Sequence, residues 1–142
     1  MTCLYLLDTN IISELNKVPS NDTVTERIKR NQIVSAISSV SWSESLFGMK
    51  KLPSCKRRDN LTDFYFNTVL ETFPIIPFDE HAASIYSDIK SRLMAIGKPA
   101  PELDIQIAAT AIANNLILVT RNVSDFNSIA EVSALMMENW FE

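Results

Sequence analysis

Near its start the sequence reads Leu4-Tyr5-Leu6-Leu7-Asp8-Thr9-Asn10, a short apolar run that ends at an aspartate and two further polar residues. Consecutive apolar positions are typical of a strand that is covered on both faces, as in a parallel sheet between two layers of helices. The aspartate would then lie at the carboxyl edge of the sheet, where open α/β sheets bind their ligands. Because Asp-Thr-Asn is also good turn and cap chemistry, a helix-capping role for Asp8 remains an alternative.

The rest of the chain repeats this organisation, because short apolar runs alternate with longer amphipathic stretches. The alternation predicts one domain over residues 1–142, a three-layer α/β/α fold with a central, mainly parallel sheet of four to five strands. We expect strands at 4–7, 33–37, 75–76 and 116–119, with a last edge strand at 132–136. We expect helices at 10–16, 23–30, 39–51, 57–72, 79–96 and 103–114, the fifth of which ends at Gly97.

The bulk composition limits the possible partners and compartments. The formal net charge is −4, so a nucleic acid would have to be bound through a local basic patch or through metal ions. Cys3 and Cys55 show no metal-ligand spacing, which favours two free thiols in a reducing cytosol. Asp8 cuts the first apolar run far short of a signal peptide or a membrane span. We therefore expect a cytoplasmic protein that is not inserted in a membrane.

A few polar side chains fall at one predicted edge of the sheet. Glu44 lies beside the packed face of its helix, Asp104 heads the buried stripe of another helix, and Asn122 and Asp125 follow the strand at 116–119. Each has an ordinary explanation as a solvated, dipole-stabilising or turn-forming residue. If the carboxylates among them were packed together with Asp8, however, these carboxylates would repel one another unless a divalent cation were bound. An all-oxygen set selects Mg²⁺ or Mn²⁺, and the lack of His and Cys clusters argues against zinc.

Four segments resemble, in order, the motifs of PIN-domain ribonucleases, specifically the VapC-type or FitB-like toxins of type II toxin–antitoxin pairs. They are Leu6-Leu7-Asp8-Thr9-Asn10 with Ile11-Ile12-Ser13-Glu14, Ile37-Ser38-Ser39-Val40-Ser41-Trp42-Ser43-Glu44 through Gly48, Leu103-Asp104-Ile105-Gln106-Ile107-Ala108-Ala109-Thr110-Ala111, and Val119-Thr120-Arg121-Asn122-Val123-Ser124-Asp125-Phe126.

The resemblance implies a Mg²⁺-dependent endoribonuclease, for which Mn²⁺ would substitute, that forms a homodimer and is inhibited by a VapB-type antitoxin. It implies that Asp8, Glu44 and Asp104 are the core catalytic and metal-binding acids. Many family members carry an aspartate directly after Thr-Arg, where this chain has Asn122. Either Asp125 or Asn122 is therefore expected to complete the metal site, and occupancy of a second metal position depends on which one does.

A dense group of cations offers a local patch for RNA. No acid occurs among residues 50–58, and Arg121 lies next to the fourth motif. The candidate RNA-binding residues are Lys50, Lys51, Lys56, Arg57, Arg58 and Arg121. The alternative for the 50–58 group is a solvated loop that contributes only to solubility.

Two other functional classes compete with the nuclease. A haloacid-dehalogenase-type phosphohydrolase also has an aspartate after its first strand, but it needs a second aspartate two residues later, where this chain has Asn10. A degenerate PIN-fold scaffold would bind another protein without nuclease activity. Metal binding distinguishes the scaffold from the nuclease, because a scaffold has no need of Mg²⁺ or Mn²⁺.

Overall fold

A single five-stranded sheet forms the centre of the computed structural model, which describes residues 2–142. Every neighbouring pair of strands is parallel, and the strand order is β3-β2-β1-β4-β5. The strands are β1 Tyr5–Leu7, β2 Ser35–Ser38, β3 Ile75–Ile76, β4 Ile117–Val119 and β5 Met137–Glu138. The predicted three-layer α/β/α fold is confirmed, with five strands in the sheet.

The helices connect these strands as crossovers. They are α1 Thr9–Ile12, α2 Asp22–Arg30, α3 Ser39–Lys50, α4 Lys56–Asp63, α5 Leu70–Thr72, α6 Glu80–Ala95, α7 Glu102–Ala113 and α8 Val123–Glu131. Short 3-10 turns occupy Ser13–Asn16 and Gln32–Val34, and a π-helical segment, Phe64–Val69, joins α4 to α5. Within residues 2–142, no helix is both long and apolar enough to cross a membrane.

Polar side chains cap the starts of α3 and α6, and a glycine follows the end of α6. The Ser38 hydroxyl accepts the Ser41 backbone N–H at 2.9 Å, and the Asp79 carboxylate accepts the Ala82 N–H at 3.0 Å. These bonds satisfy N–H groups that have no partner inside the first turn. Beyond α6, Gly97 has a φ of +67°, a left-handed conformation that glycine adopts without steric cost. The glycine stop predicted after α6 is confirmed.

Consecutive residues of the central strands pack into two separate apolar cores, one on each face of the sheet. Leu6 and Leu118 belong to the core under α6 and α7, whereas Leu7 and Val119 belong to the core under α1 and α2. All four side chains are essentially inaccessible to solvent. Because successive side chains of a strand point to opposite faces, both faces of these strands must be apolar, as the first motif predicts.

The last third of the chain differs from the sequence-based prediction in two places. The edge strand predicted at 132–136 is wrong, because Val132 ends α8 with its N–H bonded to the Ile129 carbonyl. Strand pairing instead begins where Leu118 N–H meets the carbonyl of Met136, and β5 follows as Met137–Glu138. Helix α8 was not expected, because its polar amino-terminal residues resemble those of a loop.

Candidate active site

Asp8 lies where β1 ends, in the centre of the carboxyl edge of the sheet. Its backbone N–H continues the β1–β4 ladder by donating to the Val119 carbonyl at 2.9 Å, and only 7% of the residue is exposed. One carboxylate oxygen accepts the Thr9 N–H at 2.8 Å, and the other accepts the Thr120 hydroxyl at 2.9 Å. Asp8 precedes α1 and caps it, so the helix-capping alternative is correct. The second hydrogen bond shows that the carboxylate is also held from β4.

Thr120 connects Asp8 to a wider polar network that sequence reasoning did not identify. The Thr120 side chain is fully buried, and its oxygen also accepts the Asn122 backbone N–H at 3.1 Å. The Asn10 amide nitrogen donates to the Thr120 hydroxyl oxygen at 3.4 Å, and the Asn10 amide oxygen accepts the Arg121 backbone N–H at 3.1 Å. The sequence does contain a feature that could have indicated this network. Asp-Thr-Asn follows β1 and Thr-Arg-Asn follows β4, so the two polar segments lie side by side when β1 and β4 pair.

Glu44 and Asp104 bring two further carboxylates towards Asp8, from α3 and from the first turn of α7. Burial raises the pKa of Glu44, and the negative charges of Asp8 and Asp104 raise it further. Burial, together with the charges of Asp8 and Asp125, raises the pKa of Asp104 to about 6. Burial also raises the pKa of Asp8, despite the opposing hydrogen bonds from Thr9 and Thr120. Asp8 and Asp104 thus lie within the electrostatic influence of Asp125, and Glu44 lies within that of Asp8 and Asp104, so the four acids are near one another.

Asn122 immediately precedes α8, whereas Asp125 lies within its first turn. Asp125 occupies the first turn of the helix, and its charge raises the pKa of both Asp8 and Asp104. Asn122 precedes the helix, is exposed, and lines an open pocket together with Glu44. The electrostatic coupling favours Asp125 as the fourth acid, with Asn122 as a neutral neighbour at the rim.

The donor set fits a hard divalent cation that keeps part of its water shell. Within residues 2–142, none of the four acids forms a salt bridge. Nor does that range contain a group of three or more His, Cys, Asp or Glu side chains close enough together to hold a metal ion by themselves. Mg²⁺ is commonly bound through one or two carboxylates and several waters, so it does not need such a group. Each Asp8 oxygen accepts one hydrogen bond and so keeps a lone pair for a cation.

Comparison with known proteins identifies the family of this fold. A family model described as the PIN domain matches residues 5–132. The chain belongs to the PIN-domain family. This membership excludes the haloacid-dehalogenase alternative, and it agrees with the four sequence motifs.

Relatives of this PIN domain match it over most of their length. VapC ribonuclease Y4jK of Sinorhizobium fredii is 32% identical over 128 residues, which cover 88% of this chain and 91% of that protein. Toxin FitB of Neisseria gonorrhoeae is 32% identical over 126 residues, 87% of this chain and 91% of the toxin. The crystal structure of FitAcB from Neisseria gonorrhoeae superposes with a TM-score of 0.87 at 29% identity, covering 98% of this chain and 99% of that one.

The cations predicted to bind RNA do not form one continuous patch on this PIN domain. Arg57, in the first turn of α4, lines the same open pocket as Glu44 and Asn122, and Lys56 and Arg57 both line a second open pocket next to it. Lys50 is exposed at the end of α3 and lines neither of these pockets. The Arg58 guanidinium donates to the Leu52 carbonyl at 3.4 Å. The structure thus brings only part of the predicted cluster to the site.

Two other predicted cations of this PIN domain lie over aromatic rings. The Lys51 ammonium is 5.2 Å from the centre of the Phe47 ring, and the Arg121 guanidinium carbon is 4.3 Å from the centre of the Phe141 ring. Such cation–π contacts hold the side chain while leaving its charge available to solvent. Arg121 directly follows Thr120, so it remains the predicted cation nearest to Asp8 in the hydrogen-bond network.

Glu14 is a buried acid of the first motif for which the sequence suggested no role. It is 4% exposed, accepts the Asn21 N–H at 2.9 Å and pairs with the Lys17 ammonium at 3.1 Å. Burial raises the pKa of Glu14, but the bonds from Asn21 and Lys17 outweigh it, so the pKa lies below its ordinary value. Both partners lie between α1 and α2, so Glu14 cross-links that segment internally.

Proposed function

We propose that this chain is a Mg²⁺-dependent endoribonuclease that acts as the toxin of a type II toxin–antitoxin module. The observation that carries the proposal is the set of acids from four separate segments at one edge of the sheet, Asp8, Glu44, Asp104 and Asp125, none of which forms a salt bridge within residues 2–142. Membership of the PIN-domain family and similarity to a protein named VapC ribonuclease support the choice of RNA as substrate.

The four acids would divide the work of a metal-assisted hydrolysis. Asp8 and Asp104 would hold Mg²⁺, for which Mn²⁺ would substitute, together with several waters. Glu44 would orient the attacking water, and Asp125 would act through its charge or help to bind a second ion. When bound, the ion supplies a Lewis acid for the scissile phosphate and lowers the pKa of a water molecule. Thr9 and Thr120 would keep the Asp8 carboxylate in a fixed orientation, because each oxygen already has a donor. Asn122 would remain a neutral neighbour at the rim.

A VapB-type antitoxin and a second copy of the chain are the proposed protein partners. Similarity to toxin FitB supports the antitoxin, and the proposed place of action is the cytoplasm. The homodimer is supported by apolar side chains at the end of α6, where Met94 is 75% exposed and Ile96 is 48% exposed. Analytical ultracentrifugation tests the dimer, and a chain that stays monomeric at all concentrations would contradict it.

Cleavage of a panel of labelled structured RNAs tests the nuclease directly. We expect cleavage with Mg²⁺, none with EDTA, and a loss of at least about 100-fold in Asp8→Asn, because an interaction with the reacting metal is removed. Asp88→Asn is the matched control, since Asp88 is an exposed acid of α6 outside the site. Full activity in folded Asp8→Asn would refute the assignment. No cleavage of any RNA, together with no Mn²⁺ binding, would favour the protein-binding scaffold.

A further inference from the structure

Two open pockets adjoin each other and form one groove, and Glu44 is the site acid that lines it. The acid pocket, of about 450 Å³, is lined by Glu44 and Asn122 among others. The basic pocket, of about 610 Å³, is lined by Lys17, Lys56 and Arg57 among others. The two pockets share four lining residues, Ser13, Arg57, Leu61 and Tyr65. A chain-like ligand bound beside Glu44 can therefore continue into the basic pocket.

The basic pocket has the chemistry of a polyanion site on an otherwise acidic protein. Its lining contains three cations and no Asp or Glu, whereas the whole chain carries a formal charge of −4. Asn16 and Asn60 add neutral hydrogen-bonding groups to the walls. Cations and amides are the groups that proteins use to bind phosphate and sugar oxygens of nucleic acids.

Lys17 is held in this pocket by a contact that the sequence does not reveal. Its ammonium pairs with the Glu14 carboxylate, which is buried beneath it, while about half of the Lys17 side chain remains exposed. An ammonium has three donors, so one contact to Glu14 leaves others free for a phosphate. Lys17 thereby joins Lys56 and Arg57, from which it is separated by almost forty residues of sequence.

We propose that the basic pocket is a subsite for the RNA nucleotides that flank the scissile phosphate, with Lys17, Lys56 and Arg57 binding the flanking phosphates. This inference rests on the proposed ribonuclease function and deepens it. An acidic segment of a protein partner is the competing occupant, but the continuity of the basic pocket with the pocket that Glu44 lines favours the RNA strand. The reactive phosphate would lie at the acids, and its neighbours along the strand would extend into the basic pocket.

Salt-dependent binding of a fluorescein-labelled single-stranded RNA of about 10 nucleotides tests the subsite, with the full chain kept in EDTA so that nothing is cleaved. Between about 50 and 200 mM salt, the logarithm of the binding constant should fall linearly with the logarithm of salt concentration. We expect Lys17→Ala, Lys56→Ala and Arg57→Ala each to weaken binding and to flatten this slope by about 0.7, the value for one lost phosphate contact on a single strand.

Two controls separate the subsite from general charge effects. Lys29→Ala removes one cation from the exposed face of α2 and should leave the slope unchanged. Arg57→Lys keeps the charge and should restore most of the slope that Arg57→Ala loses. Mn²⁺ binding should stay at the wild-type level in every one of these variants, which shows that the fold and the acids are intact.

The failure of the subsite can be told apart from the failure of the nuclease. If the wild type cleaves RNA with Mg²⁺ but the three alanine variants keep the wild-type salt slope, the subsite is refuted and the nuclease stands. A loss confined to binding of an antitoxin peptide, with RNA binding unchanged, would also refute it and assign the groove to a protein. A wild type that neither binds nor cleaves RNA would overturn both proposals.

Discussion

Asp8 is the acid whose orientation this PIN domain controls most tightly, and Thr120 is the side chain that reaches it from β4. The Thr120 hydroxyl donates to one Asp8 oxygen at 2.9 Å inside a fully buried environment. Side chains that orient a metal-binding carboxylate typically account for 10–100-fold in metal affinity or activity, so about that loss is expected when such a group is removed.

We therefore expect Thr120→Val to lower Mn²⁺ affinity and RNA cleavage by about 10–100-fold, because it removes the donor to Asp8 at nearly constant volume. Thr120→Ser keeps the hydroxyl and should recover most of the loss. Thr110→Val is the matched control, since Thr110 is equally buried but bonds to the Gln106 carbonyl within α7. Calorimetry and cleavage rates provide the measurements. Equal losses in Thr120→Val and Thr110→Val would indicate a general packing effect instead.

Asp104 should lower the stability of the metal-free protein at neutral pH. Its pKa rises from 3.8 to about 6 on folding, chiefly through burial and then through Asp8 and Asp125, so the folded state disfavours its charge. For a carboxyl whose pKa is raised by folding, the folded state binds the proton more readily. The contribution of Asp104 to the free energy of unfolding therefore falls as the pH rises from about 4 through about 6.

From this sign we expect Asp104→Asn to raise the melting temperature in EDTA at pH 7.5 by a few degrees. The gain should shrink at pH 4, where the wild-type carboxyl is largely protonated. The same substitution should reduce the stabilisation that Mg²⁺ gives the wild type, because a ligand that binds only the folded state stabilises it. Differential scanning calorimetry measures both effects. If the variant were less stable than the wild type at pH 7.5 without metal, the charged Asp104 carboxylate would not destabilise the metal-free fold, and this prediction would be wrong.

At the scale of single elements, α7 presents an alanine-rich face that lets it approach its neighbours closely. Ala108, Ala109 and Ala111 are completely buried in the core that also contains Leu6 and Leu118 of the sheet. A larger side chain has no free volume there, and overpacking a dense core usually costs about 1–3 kcal/mol.

We expect Ala108→Leu to lower the free energy of unfolding by about 1–3 kcal/mol. Because Asp104 lies one turn before Ala108 on α7, the same change should also displace the carboxylate and lower cleavage more than stability alone predicts. Ala95→Leu, on the exposed end of α6, is the control and should change neither property by much. Urea unfolding at an unchanged m-value provides the measurement. A neutral Ala108→Leu would show that α7 packs more loosely than described.

Some secondary-structure elements could be predicted from the sequence alone, and others could not. The runs at β1 and β4 are apolar on consecutive positions, so a strand buried on both faces could be predicted from each. Helix α8 could not, because Asn122 and Asp125 are equally common in turns and only the packing of Phe126 and Ile129 makes the segment helical.

Side chains that depend on pairing across the sheet were missed for a related reason. The Thr120–Asp8 bond spans 112 residues of sequence, and no local pattern reports it. Lys17 lines the same pocket as Lys56 and Arg57 only because the fold places the segment after α1 opposite α4. The strand ends could therefore be predicted to carry the acids, whereas the residues that hold those acids and extend the groove required the three-dimensional fold.

For the whole molecule, the parallel topology determines where chemistry can occur. Strand order β3-β2-β1-β4-β5 places the ends of β1 and β4 side by side at the centre, and α3 and α7 add Glu44 and Asp104 there. The acids repel one another in the folded chain without metal, and a divalent cation would relieve that repulsion. The proposed function, the Thr120 prediction and the Asp104 prediction all depend on one cation site at this edge.

Calorimetric titration of Mn²⁺ into the wild type, Asp8→Asn, Asp104→Asn and Asp88→Asn tests this central claim most directly, because it requires no knowledge of the RNA target. We predict binding by the wild type and by Asp88→Asn, and a loss of about 10-fold or more in affinity for each of the two site variants. If the wild type binds no Mn²⁺, or if Asp8→Asn and Asp104→Asn bind it with wild-type affinity, the acids at the carboxyl edge are not a metal site.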